Sequence, residues 1–146
     1  DSSTSRGLGD VYKRQLMADT VTTQTISDTS GVKFVAKLTN FSDGTGETLL
    51  KKVDASETTF MSEDGNRTIA RVYYSINSSD NKSGVEIIWD GTVNATALFL
   101  SGNGFMDFRK DGNNIPNNAG TPTGDVLVTT KNFARGDNYT IIVEFR

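Results

Sequence analysis

Carboxylates are the leading candidates for acid–base chemistry in this chain, because it contains neither histidine nor cysteine. Asp90, Asp107 and Asp111 fall near its centre, and carboxylate pairs perform acid–base catalysis in most glycoside hydrolases. Asp90 and Asp111, however, each precede a glycine, which is a common position for aspartate in a turn. Without histidine or cysteine, Ser–His and Cys–His nucleophilic catalysis is excluded. We therefore predict no catalytic residues and a protein that is not an enzyme.

An asparagine-rich stretch, RKDGNNIPNNAGTPTG (109–124), carries a second group of chemically useful side chains. Its oxygen atoms are of the kind that Ca²⁺ prefers, but only one carboxylate is present and the spacing of a calcium-binding loop is missing. We therefore predict no metal or cofactor. Long irregular loops are usually functional or mobile, so the stretch is predicted to be a partner-contact loop. Its candidate contact residues are Asp111, Asn113, Asn114, Asn117 and Asn118.

Charge and hydropathy limit the classes of partner. With 15 basic and 18 acidic residues the net charge is -3, which gives no basic face for nucleic acid and disfavours an anionic membrane surface. No apolar run approaches the length that spans a bilayer. An Arg135-Gly136-Asp137 tripeptide resembles an adhesive motif, but three residues are a very weak signal and a turn between two strands explains them.

The secondary-structure signals indicate an all-β domain. Apolar and polar residues alternate with the period of a strand in most segments, and Gly, Asn and Asp clusters separate them. The predicted strands are 21–28, 32–40, 48–54, 68–77, 85–89, 95–100, 125–131 and 138–145. This spacing predicts an antiparallel β-sandwich, jelly-roll-like or Ig-like, of about eight strands.

The densest apolar stretch is VEIIWDGTVNATALFLSGNGFMDF (85–108), which includes the only tryptophan. We predict a turn at Asp90-Gly91 and a strand at 95–100 that is covered on both faces. Core packing is the expected role of the aromatic side chains that could otherwise stack on a sugar, namely Tyr73, Tyr74, Trp89, Phe99, Phe105 and Phe108. The stretch is therefore the part least expected to contact a partner.

The first residues have a different character. DVYKRQ (10–15) is similar to a translated sequencing adapter, and Met17 follows as a plausible natural start. We predict that residues 1–16 are a non-native, disordered tail and that residues 17–146 form one β-sandwich domain.

Four segments together carry a family resemblance: KFVAKLTNFSDGTGE (33–47), residues 85–108, GTPTGDVLVTT (120–130) and GDNYTIIVEF (136–145). They resemble a family of small virion structural proteins of marine tailed bacteriophages. The resemblance implies a non-enzymatic component of the particle, either capsid decoration or tail- or fibre-associated. It implies other virion proteins as partners, a homo-oligomer or a capsid or tail lattice, and synthesis in the host bacterial cytoplasm.

The alternative function is a glycan-binding β-sandwich module for adhesion to a host surface. It predicts that Trp89 or a tyrosine lies exposed on a flat face, since sugars stack on aromatic rings.

Overall fold

The computed structural model describes residues 19–146, which form two antiparallel β-sheets packed against each other. In chain order the strands are β1 Thr20–Thr29, β2 Lys33–Phe41, β3 Leu50–Val53, β4 Thr68–Asn77, β5 Gly84–Val93, β6 Ala95–Leu100, β7 Asn103–Asp107, β8 Ile115–Pro116, β9 Gly120–Lys131 and β10 Asn138–Phe145. The tail predicted at residues 1–16 lies outside the described residues.

The six-stranded sheet has the order β1-β2-β10-β4-β7, with β8 also paired to β4, and the four-stranded sheet has the order β3-β9-β5-β6. Two 3₁₀ turns, Ala55–Glu57 and Arg109–Asp111, lie between strands. The prediction of an all-β antiparallel sandwich is confirmed. The described strands number ten rather than about eight, because β7 and β8 were not predicted as separate strands. Within residues 19–146, no helix is both long and apolar enough to cross a membrane.

Alternation along the strands places one face of each sheet in the core. Val85, Ile87 and Trp89 of β5 are fully buried, and the Trp89 ring meets Phe145 edge-on at 6.0 Å between ring centroids. Burying one side chain of this size stabilises the fold by roughly 1.5–3 kcal/mol. The predicted core packing of Trp89 is therefore confirmed, and the single tryptophan lies between the two sheets.

The turn predicted at Asp90-Gly91 is wrong. Strand β5 continues through both residues to Val93, and the pairing of β5 with β9 shifts register between Trp89 and Gly91. The glycine is needed for a different reason: a Cβ atom on Gly91 would lie 2.3 Å from the Gly120 carbonyl oxygen. Close approach of two strands at a bulge, rather than a reversal of the chain, explains this glycine.

The prediction that the strand at residues 95–100 is covered on both faces is also wrong. The strand itself is confirmed as β6, but β6 forms an edge of the four-stranded sheet. Phe99 is 66% exposed as a result, and so the prediction that Phe99 packs in the core fails. A short apolar run does not distinguish a covered strand from an edge strand, since both have the same local pattern.

The predicted irregular loop 109–124 is partly regular. It begins with the 3₁₀ turn Arg109–Asp111, contains β8, and ends inside β9, which starts at Gly120. Strand β8 pairs with the first two residues of β4, so the middle of this segment is hydrogen-bonded to the sheet. The part without strand or turn structure is therefore shorter than predicted.

Candidate functional site

The solvent-facing side of β2, β10, β4 and β7, here called the outer face, brings together residues that are far apart in the chain. In antiparallel sheets, residues directly opposite each other point to the same side. The register therefore places two neighbouring rows on this side. One row is Lys37, Ile142, Tyr73 and Phe105; the other is Val35, Glu144, Arg71 and Asp107.

Two aromatic rings stand side by side on the outer face. Tyr73 of β4 and Phe105 of β7 are register partners, and their rings stack with centroids 4.2 Å apart and planes 18° apart. Tyr73 is 45% exposed and Phe105 is 46% exposed. The predicted core packing of these two aromatics is therefore wrong. About half of each ring stays available to a partner, while the other ring holds it in place.

A buried carboxylate organises the arginines beside the aromatic pair. Glu144 is only 3% exposed although it points to the outer face. Its two oxygens accept hydrogen bonds from Arg71 Nε at 2.7 Å and from Arg146 Nε at 2.6 Å. Burial raises the pKa of Glu144, but the hydrogen bonds from Arg146 and Arg71 outweigh burial and leave the pKa below its usual value. The carboxylate therefore stays ionised and fixes both guanidinium groups.

A second ion pair extends this arrangement. Arg109 donates two hydrogen bonds to Asp107, from Nε to Oδ1 at 3.0 Å and from Nη2 to Oδ2 at 2.9 Å. The side-chain hydrogen bonds from Arg109 lower the pKa of Asp107 to about 2, and the same contact raises the pKa of Arg109. Bidentate pairing restricts both side chains to one geometry. The ionic part of the outer face is thus arranged before any partner arrives.

A shallow cleft of about 200 Å³ lies in the same surface. Its lining is mainly apolar at Ile26, Val35 and Ile142, and it also includes Tyr73 and Arg71. A cleft of this size and lining could receive one side chain of a protein partner or one sugar ring.

The predicted partner-contact residues lie beside the outer face rather than on it. Asp111 ends the 3₁₀ turn Arg109–Asp111, and Asn113 and Asn118 are exposed. Asn114 is half-buried and donates from Nδ2 to the Thr68 hydroxyl at 3.2 Å. Asn117 is also half-buried and accepts at Oδ1 from the Ala119 backbone at 3.1 Å. Two of the four asparagines thus support local structure.

Other polar clusters are structural. Inside the sandwich, Lys52 contacts Glu47, and the Tyr139 hydroxyl donates to Glu47 Oε1 at 2.6 Å. Burial raises the pKa of Tyr139, and the charge of Glu47 raises it further, so the hydroxyl remains a donor. In residues 19–146, no group of three acidic, histidine or cysteine side chains is arranged to hold a metal ion.

The adhesive tripeptide at 135–137 does not present its carboxylate. Asp137 is 3% exposed and accepts hydrogen bonds from the Ala134 and Ser79 backbone amides at 2.9 and 3.1 Å. The turn interpretation of this tripeptide fits these contacts.

Comparison with protein-family models, curated protein sequences and solved structures gives no match to this chain.

The sequence alone did not predict the outer face as a contact surface. Its one visible signal is that Tyr73 and Arg71 alternate with the buried Val72 on β4, which places them on the solvent side. Which strands pair with β4 depends on contacts between distant parts of the chain. The sequence therefore did not indicate that Phe105 and Glu144 lie next to Tyr73 and Arg71.

Proposed function

We propose that this chain is a non-enzymatic structural component of a tailed phage particle, either capsid decoration or tail- or fibre-associated. It acts through protein–protein contacts made by the outer face. The resemblance of residues 33–47, 85–108, 120–130 and 136–145 to small phage virion proteins supports the particle assignment. Its site of action is then the virion, and it is made in the cytoplasm of the host bacterium.

The observation that carries the contact proposal is the exposed Tyr73–Phe105 pair beside the fixed Arg71 and Arg109. Tyrosine, phenylalanine and arginine are enriched at the centres of protein interfaces. Side chains that are already held in place lose little conformational entropy on binding. A strand-built sheet face also keeps its shape, which suits a particle in which the same contact is repeated.

Mass spectrometry of purified particles of the phage that encodes this chain tests the proposal. We expect peptides of the chain at a constant ratio to the major capsid protein in every preparation. A chain that is abundant in infected cells but absent from purified particles would overturn the particle assignment. Cryo-electron microscopy of the same particles would then locate the chain on the capsid, tail or fibre.

A second candidate function is binding of a host-surface glycan, and one observation favours it. Trp89 is buried, but Tyr73 is exposed on the outer face, where it lines the cleft of about 200 Å³ together with Arg71. Aromatic rings next to charged hydrogen-bonding groups are suited to sugars.

Glycan binding is tested by titrating the full chain on an array of bacterial surface polysaccharides. A glycan ligand should lose affinity with Tyr73→Ala and keep it with Phe99→Ala, which removes a more exposed aromatic on the other sheet. Equal binding by both variants, or no binding by the wild type, would exclude this function of the outer face.

A further inference from the structure

Strand β1 forms an open edge of the six-stranded sheet. Within residues 19–146 it pairs with β2 alone, and most of its ten residues are exposed. From Thr20 to Thr25 its register with β2 is uninterrupted, and a bulge follows before Ser27. The segment Thr20–Thr25, here called the edge segment, therefore presents backbone N–H and C=O groups along one straight side.

The edge segment lacks the features that normally prevent strand-to-strand association. Its sequence, TVTTQT, has no lysine, no proline and no charge, and the bulge lies beyond it. The other described edges are better protected. Strand β3 carries Lys51 and Lys52 and a register shift, β6 is interrupted by a register shift, and β7 ends in the Asp107 ion pair.

The acidic residues that flank the edge segment are turned inward. Asp19 accepts hydrogen bonds from Asn40 Nδ2 at 2.9 Å and from the Asp43 backbone at 3.0 Å. Asp28 accepts from the Thr59 and Phe60 backbone amides, each at 2.8 Å. Both carboxylates are therefore used within the chain, and they leave the strand edge between them electrically neutral.

The same side of the sandwich is unusually apolar. Of the ten large apolar side chains exposed in the described residues, six lie on or next to β1 and β3. They are Val21, Ile26, Val32, Phe41, Leu49 and Leu50. Two clefts of about 390 and 360 Å³ lie between β1 and β3, and Val21, Leu50, Thr23 and Thr25 are in their linings. Side chains on the inner side of β1 are thus left uncovered by the four-stranded sheet.

We propose that a second copy of this chain pairs with the edge segment in antiparallel orientation, forming a two-fold symmetric dimer. The two six-stranded sheets then join into one sheet of twelve strands, six from each copy. The proposal concerns self-association alone and does not depend on membership of a phage particle.

The chemistry of the edge segment identifies the second copy as the occupant. The partner must supply an uncharged extended strand and an apolar flank, and β1 supplies both. A two-fold axis at Thr23 places Thr23 opposite its own copy, Thr22 opposite Gln24 and Val21 opposite Thr25. These pairs bring together hydroxyl, amide and apolar groups, and no like charges face each other. The exposed Val21 and Leu50 then lie at the interface.

Sedimentation equilibrium of the full 146-residue chain over a range of concentrations tests the dimer. We expect the wild type to reach twice the mass of one chain. Thr23→Lys with Gln24→Lys should weaken dimerisation about tenfold or more, because the two-fold axis brings four new positive charges together. The matched control is Ser101→Lys with Asn103→Lys, which adds the same charge at exposed positions where β6 connects to β7, at the far edges of the two sheets from β1, and should leave the dimer unchanged.

Circular dichroism of each variant shows whether it is folded, and hydrogen exchange locates the interface. The backbone amides of residues 20–25 that point away from β2 should become protected as the concentration of the wild type rises. A wild type that stays monomeric would overturn the proposal. So would a folded Thr23→Lys/Gln24→Lys variant that dimerises normally, or a dimer without added protection in β1.

Discussion

The outer face of the six-stranded sheet and residues 110–118 of the asparagine-rich stretch, here called the asparagine-rich segment, are neighbours that differ in how their side chains are held. On the outer face, Glu144 and Asp107 fix three arginines, and the two exposed rings stack on each other. In the segment, Asn114 and Asn117 form hydrogen bonds to nearby parts of the same chain, and Asn113 and Asn118 are exposed. The comparison shows that an irregular, polar sequence is a weaker guide to a contact site than ordered side chains on a sheet.

The largest expected difference between the two regions is in stability. Glu144→Gln should lower the free energy of unfolding by about 3 kcal/mol, because it removes a nearly buried charge and leaves the arginines without their anion. Asn113→Ala in the segment should change it by less than about 0.5 kcal/mol. Urea denaturation of both variants measures the difference. Equal losses would show that the carboxylate does not organise the outer face.

The next expected difference is in incorporation into particles. Tyr73→Ala should reduce the copies per particle about tenfold or more, since central interface aromatics contribute about 2 kcal/mol or more. Asn118→Ala, an exposed change in the segment, should leave the copy number unchanged. Quantitative mass spectrometry of purified particles gives both values, and circular dichroism confirms that each variant is folded. If Asn118→Ala strongly reduced the copy number and Tyr73→Ala did not, the segment rather than the outer face would be the contact site.

Much of the fold could be predicted from local pattern, and the outer face could not. Alternation gives the bounds of β4 and β10 as the structure has them, because the period of a strand is encoded in adjacent residues. The contact between Tyr73 and Phe105 requires β4 to pair with β7, which lies about thirty residues later in the chain. Pairing over that distance depends on the packing of the whole sandwich, and a single sequence does not display it.

The edge position of β6 could not be predicted for a related reason. ATALFL has the composition of a strand covered on both faces, yet Phe99 is largely exposed. Whether such a strand has one neighbour or two is set by the order of strands in the sheet. The prediction of an irregular loop in the asparagine-rich stretch was wrong for a different reason. The pairing of β8 with β4 involves only two residues and leaves no periodic pattern in the sequence.

The contribution of the outer face to the stability of the fold should decrease at acidic pH and be complete at neutral pH. The folded pKa values of Asp107 and Glu144 lie below their ordinary values, so the unfolded chain binds protons first as the pH falls. The stability that Asp107 contributes is therefore fully present above about pH 5 and is lost as the pH falls towards about 2. The contribution of Glu144 is lost in the same direction. Urea denaturation at a series of pH values should show this decrease, and Glu144→Gln should show a smaller one. Identical pH dependence in both proteins would contradict a role of Glu144.

The smallest expected effect is inside the segment. Asn114→Ala removes the hydrogen bond to Thr68 and should cost about 1 kcal/mol or less of unfolding free energy. Asn118→Ala should cost less than Asn114→Ala. Thermal unfolding of the two variants separates an asparagine that supports structure from one that does not. A larger cost for Asn118 would mean that the exposed part of the segment has contacts within the fold.

Cross-linking of purified particles with an amine-reactive reagent, followed by mass spectrometry, tests the contact surface most directly. Lys37 belongs to the outer face, and Lys33 of the same strand lines its cleft. Lys110 is an exposed residue of the 3₁₀ turn that precedes the asparagines. We predict cross-links from Lys33 or Lys37 to another particle protein. Cross-links from Lys110 alone, with none from Lys33 or Lys37, would contradict the outer face as the contact surface. They would indicate the asparagine-rich segment as the contact surface instead.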